Sequence, residues 1–167
     1  MEDLAEAVGL SRAGLYKRFS NKESMFRAVV SRLHEHTLAR VDEATGSRAS
    51  EPSTLDLVTD AFEARVGYLM DRTWDSPHGM ELLEDSSRLC GDLVADASDR
   101  FRARVATFLA EGDARGDIDL RGADLDAREA ADLIAAAVGG LKPATPGPKE
   151  FRESMRRVIR LLLVGMA

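Results

Sequence analysis

The chain has 167 residues, of which 44% are hydrophobic and 31% charged, with a formal net charge of −6. That length fits one ordinary domain or a small domain joined to a larger one, and the mixed signs of charge exclude a disordered polyelectrolyte. The single cysteine, Cys90, excludes an internal disulfide and points to a cytoplasmic protein in which it serves as a small buried hydrophobe.

Helix formers dominate and β-branched runs are absent, so the fold class expected is all-α. "MEDLAEAVGL" lacks the long apolar run of a signal peptide. Residues 2–8 read as a short helix with Leu4, Ala5 and Val8 on one side, ended by Gly9. Ser11 caps a second helix over about 11–18. Ser20 and Glu23 have the spacing of a capping box. The helix it opens runs through Met25, Phe26, Val29, Val30, Leu33 and Leu38 to about Glu43.

"TGSRASEPS" reads as a linker. Leu55, Val58, Phe62, Val66 and Leu69 then trace one face of a helix over about 54–72, broken by "DSPHG". A short helix is expected around 79–87, and a long one ending near Glu111 carries Leu89, Leu93, Ala97, Phe101, Val105 and Phe108. "GDARGDIDLRGADLD" reads as a polar turn segment. Two helices follow, about 126–141 and 148–165, separated by the prolines of "KPATPGP". The closing "LLLVGMA" is far short of the ~20 apolar residues that span a bilayer.

Charge is uneven along this order. Residues 11–40 hold seven Lys/Arg against two acids, a net of +5, which leaves −11 on the remainder. A basic face on an acidic protein suits an anion-binding module attached to a larger body. The basic segment also has the layout of a helix-turn-helix, two short helices joined through a glycine-containing turn. Leu4, Val8, Leu10, Leu15 and Phe19 can face inward and lock the pair. Arg12, Ala13, Gly14, Tyr16, Lys17 and Arg18 are left outward. Small Ala13 and Gly14 let the backbone approach base edges, and Arg12 is placed to reach a guanine. Tyr16, Lys17 and Arg18 suit phosphates, as does Lys22 at the positive end of the next helix.

"EDLAEAVGLSRAGLYKRFSNKESMF" resembles the DNA-binding domain of TetR-family transcriptional regulators over about 25 residues. The matching pattern is Ala-Glu-x-x-Gly-hydrophobic-Ser, then Gly-x-Leu-Tyr-x-x-Phe, then Lys-Glu-x-hydrophobic-Phe. The resemblance implies that Ser11, Tyr16, Arg18 and Lys22 touch phosphate and that Arg12, Ala13 and Lys17 read sequence. It gives Gly14 no clear role. Family members carry another helix before this pair, whereas Met1 stands at the second helix. The expectation is that a longer natural protein supplies the missing cover for Leu4, Val8 and Phe19.

The resemblance further implies a double-stranded DNA operator, a ligand-responsive repressor function and a homodimer. Residues 1–43 would form the DNA-binding domain with its connecting helix, incomplete at the N-terminus. Residues 44–167 would bind an effector and dimerise. Phe62, Val66, Leu69, Met70, Trp74, Met80, Leu83, Leu93, Phe101, Val105 and Phe108 are the candidate lining of a pocket for a small, largely apolar effector. His78 or Arg65 would orient it. Ala131, Ile134, Ala135, Val138, Met155, Val158, Ile159 and Leu162 are the candidate dimer interface.

Other chemistry finds little support. "DIDLRG" mimics the start of a calcium loop, but its fifth and twelfth places would be Arg121 and Arg128. His34 and His36 point to different sides of a helix and make no metal pair. No nucleophile–base set or glycine-rich phosphate loop occurs, so no enzyme activity, metal or cofactor is expected. The alternative is a helical protein-interaction adaptor without DNA binding.

Overall fold

The computed structural model describes residues 19–46, 52–73, 88–141 and 147–166. The helices expected over 2–8, 11–18 and 79–87 lie outside the described residues. Everything described is helix or short connection, so the fold is all-α as the composition implies.

Helix α1 spans Lys22–Gly46. Its cap is Asn21 and not Ser20: Asn21 Oδ1 accepts from Ser24 N at 2.7 Å, and Ser24 Oγ accepts from Asn21 N at 3.2 Å. Asparagine caps as well as serine does, and the serine three places on closes the box, which shifts the start by one residue. The helix buries Val30, Thr37, Leu38 and Val41, while Val29, expected on the same face, is exposed.

Helix α2 (Thr54–Phe62) starts at Ser53, whose hydroxyl accepts from Asp56 N. The sequence suggests one unbroken helix here. Instead Glu63–Gly67 forms a π-helical turn before α3 (Tyr68–Thr73). Such widened turns are rare and often mark functional sites. A Cβ on Gly67 would lie 2.7 Å from Arg152 Nη1, so the Arg152 guanidinium packs closely over this turn. Arg152 and Arg156 of the C-terminal helix both pair with Glu63 in this turn.

Helix α4 spans Gly91–Arg115 and ends on Gly116, whose φ of 78° is left-handed. It outruns the expected end near Glu111 because Gly112 is a packing residue here. Any side chain on Gly112 would collide with buried Thr54. Thr54 Oγ1 donates to Asp117 Oδ2 at 2.8 Å, fixing α2 to the turn after α4. That turn is less polar than its composition suggests, since Ile118 and Leu120 join the core.

Helix α5 (Ala127–Gly140) opens with a capping box between Asp126 and Glu129. Helix α6 (Pro148–Val164) starts with proline in its first turn, where the missing N–H costs nothing. The core gathers side chains from α1, α2, α4, α5 and α6 around Phe62, which meets Phe101 edge-on at 4.9 Å. Among the described residues, no helix is long and apolar enough to cross a membrane.

The candidate dimer residues divide by their exposure in the single chain. Ala131, Ile134, Val138, Met155 and Ile159 are buried inside the single chain, where they pack α5 and α6 onto their neighbours. A residue with no exposed surface has none to offer a second copy. Ala135, Val158 and Leu162 are half-buried. The large hydrophobics that α5 and α6 expose are Leu133, Leu161 and Val164.

Truncation distinguishes the two sets. Ile134→Ala should cost ~2–5 kcal/mol in urea unfolding, as for any large core side chain. Leu161→Ala, on a side chain that is 73% exposed, should cost the single chain no more than about 0.5 kcal/mol.

Candidate effector cavity

The residues expected to line a pocket divide once the helices are packed. Phe62, Val66, Leu69, Met70 and Phe101 do line one cavity, of about 420 Å³. Val105 is buried in the core beyond it, and Phe108 packs against that core. Leu93 does not line the cavity; its neighbour Val94 does. The reason is helical phase. Val94, Ser98 and Phe101 recur at four and three residues, so they share one face of α4, and Leu93 lies about 100° away. Trp74, Met80, Leu83 and His78 lie outside the described residues.

Sequence reasoning missed the contribution of α1. Val30, Leu33 and His34 form one wall, at the three-and-four spacing that marks a single helix face. The signal is present in the sequence as apolar Val30 and Leu33 beside His34. Helix α5 closes the other side through Asp132, Ala135 and Val138. The lining is mostly apolar, as a small-molecule site usually is.

The polar groups are few. Arg65, from the π-helical turn, is 5% exposed. Its Nη2 reaches Ser98 Oγ at 3.5 Å, and its guanidinium lies over the Phe101 ring at 5.0 Å. Burial, reinforced by Arg104, Arg100 and Arg102, pulls its pKa down to about 10, so it remains a cation at neutral pH. His34 is pushed below its usual value by burial and then by Arg65, which favours the neutral imidazole. Asp132 is engaged elsewhere, 3.1 Å from Arg102 Nε and 3.4 Å from Arg128 Nε.

Two guanidinium–carboxylate forks bracket this cavity and hold α1 to α4. Near the start of α1, Arg27 Nη1 and Nη2 donate to Asp92 Oδ1 and Oδ2 at 2.9 and 2.5 Å, and Nη1 also reaches the Leu89 carbonyl. Further along, Arg104 Nε and Nη2 donate to Asp42 Oδ1 and Oδ2 at 2.6 and 2.9 Å. Bidentate pairs fix orientation as well as distance. The hydrogen bond from each arginine holds its carboxylate partner below the ordinary range.

Of the candidate DNA-binding residues, Ser11, Arg12, Ala13, Gly14, Tyr16, Lys17 and Arg18 lie outside the described residues. Lys22 is exposed in the first turn of α1. The helix that begins with a candidate phosphate contact therefore goes on to form a cavity wall.

Known proteins share parts of this arrangement. Residues 1–29 match the sequence signature described as bacterial regulatory proteins, tetR family. The chain is 27% identical over 154 residues to the HTH-type transcriptional repressor ComR of Escherichia coli (strain K12), covering 80% of this chain and 71% of that protein. The crystal structure of the TetR family transcriptional regulator PfmR from Thermus thermophilus shares its fold. That match has a TM-score of 0.67 and 19% identity over 99% of this chain and 88% of the other. A TetR-family regulator from Rhodococcus sp. gives a TM-score of 0.66, also at 19% identity, over 97% and 86% of the two chains.

Signature, relative and fold together resemble those of all-helical transcriptional regulators. Within that class, the chain is similar to TetR-family regulators in its N-terminal signature and in its fold.

The Asp42 fork has a defined pH signature. A carboxylate depressed in the folded chain contributes stability above its unfolded pKa of ~4, and that contribution is lost as pH falls through the depressed value. The pair is partly exposed, so Arg104→Gln should cost at most ~1 kcal/mol at neutral pH. Urea titrations of both proteins should converge at a pH well below 4. A gap that stays constant with pH would show that the fork's charge is not what the substitution removes.

Proposed function

We propose that this regulator is a ligand-responsive repressor that acts as a homodimer in the cytoplasm and catalyses no reaction. The observation that carries the reading is the double role of α1. In sequence its first turns lie within the signature matched over residues 1–29, and in space Val30, Leu33 and His34 wall the cavity. A small, largely apolar effector in that cavity touches the helix on which the DNA-reading segment is mounted. The repressor named among the relatives supports the sign of regulation.

The division of labour places DNA binding and the connecting helix in residues 1–43 and effector binding with dimerisation in 44–167. Ser11, Tyr16, Arg18 and Lys22 hold phosphates; Arg12, Ala13 and Lys17 read bases; Gly14 gives close approach. Pairing of two copies runs through Leu133, Leu161 and Val164, the large apolar side chains that α5 and α6 leave in solvent. The effector acts by favouring a body shape in which α1 tilts and the two readers no longer match their half-sites. A coupling of ~1–3 kcal/mol changes operator affinity about 5- to 150-fold. A protein-interaction adaptor is the weaker reading, because it leaves the DNA-binding signature without a role.

Gel-shift titration against DNA upstream of its own gene tests the DNA-binding part. Binding should weaken steeply with salt, and Lys22→Ala should lower the log–log slope by about one on every sequence. Arg12→Ala should instead change the preferred base, at ~1–3 kcal/mol of discrimination. A flat salt response would remove the regulator reading. For the pairing surface, Leu161→Glu should give a folded monomer in sedimentation and abolish tight operator binding. A Leu161→Glu protein that remains dimeric would place the contact elsewhere.

A further inference from the structure

The cavity contains a cation that no acid pairs with among the described residues. Arg65 is buried, and its Nη1 has no hydrogen-bond partner there. The side-chain hydrogen bond it makes to Ser98 is long at 3.5 Å, and the charges that act on it are three further arginines. Asp132, the acid in the lining, is already shared between Arg102 and Arg128. A buried guanidinium without a counter-ion is costly, and a chain that needed only shape there would do better with methionine or leucine. Beside it, the half-buried His34 presents Nδ1, which also lacks a partner among the described residues. A neutral imidazole can place one N–H there. Two unused donors thus sit in a chamber whose remaining surface is mostly apolar, including Leu33, Phe62, Val66 and Leu69, with Ser98, Arg102 and Asp132 as its other polar side chains.

We infer that the effector is an organic acid, with a carboxylate head seated on Arg65 and His34 and an apolar body filling the rest of the cavity. This deepens the ligand-responsive reading and rests on it for the regulatory consequence. Arginine is suited to the task because its planar fork meets both carboxylate oxygens at once. The Phe101 ring below the guanidinium holds its plane without consuming its N–H groups. The head also bridges elements, since Arg65 belongs to the π-helical turn and His34 to α1. Drawing those two side chains onto one anion is a way for the ligand to move α1.

The test uses the full chain with decanoate and 4-phenylbutyrate as probes, against decanol and 4-phenylbutanol as neutral counterparts and decylamine as a cation. Calorimetry should show the carboxylates binding at least ~10-fold more tightly than the neutral partners, with no binding of the amine. Arg65→Met should erase that preference. Its ligand-free melting temperature should stay level or rise, because a strained charge has been removed. The wild-type comparison of acid with alcohol needs no variant and decides the matter if Arg65→Met fails to fold.

Equal affinity for acid and alcohol overturns the carboxylate inference, as does failure of both acids to bind at millimolar concentration. Release of operator DNA, measured in parallel, separates the two layers. Neutral compounds that bind equally and release DNA leave ligand response standing without the acid. An acid that binds through Arg65 and never releases DNA keeps this site and removes the ligand-responsive reading.

Discussion

A helix that leads from the segment proposed to read DNA into a body must be held at a defined angle, or the reader has no fixed position. Helix α1 is poorly equipped to do this by apolar burial alone. Over 25 residues it buries three aliphatic side chains and one threonine. Its hold on α4 comes in addition from the Arg27–Asp92 and Asp42–Arg104 forks at either end of the cavity. Forks of this kind contribute little net stability at a surface, but they fix direction closely. The combination gives a helix that is oriented firmly and bound weakly, a condition that a ligand of ordinary affinity can alter. The cavity lies between the two forks.

Much of this was legible from the residues. Apolar periodicity located every described helix, because its signal accumulates over many turns. The N-terminal pattern carried the resemblance to TetR-family regulators through fixed spacings of Gly, Ser, Tyr and Phe. What periodicity could not give was the assignment of a stripe to its partner. Ile134, Val138, Met155 and Ile159 read equally well as core or as interface, since both demand the same apolar face. Only the positions of the other helices decide between them.

Local exceptions were equally hidden. Gly112 reads as a helix breaker, yet it lies inside α4 because Thr54 occupies the space where its side chain would be. The π-helical turn at Glu63–Gly67 leaves no mark on a pattern that reads as α-helical throughout. On the cavity wall, the α1 residues are visible in the sequence as a stripe, which packing alone would also produce. His34 shows how one residue can fail as a metal ligand and still face a binding site. The difference lies in what surrounds it, which a lone histidine in a sequence does not reveal.

The widened turn also joins two neighbourhoods. Glu63 points to Arg152 and Arg156 on α6, while Arg65, two residues later, lines the cavity. Whatever occupies the interior therefore pulls on the same loop of backbone that anchors the C-terminal helix. If copies associate through Leu161 and Val164 of that helix, occupancy and self-association are thermodynamically linked, and the linkage runs in both directions. The response threshold would then depend on how much of the protein a cell contains, giving the regulator a dose sensitivity set by its own abundance.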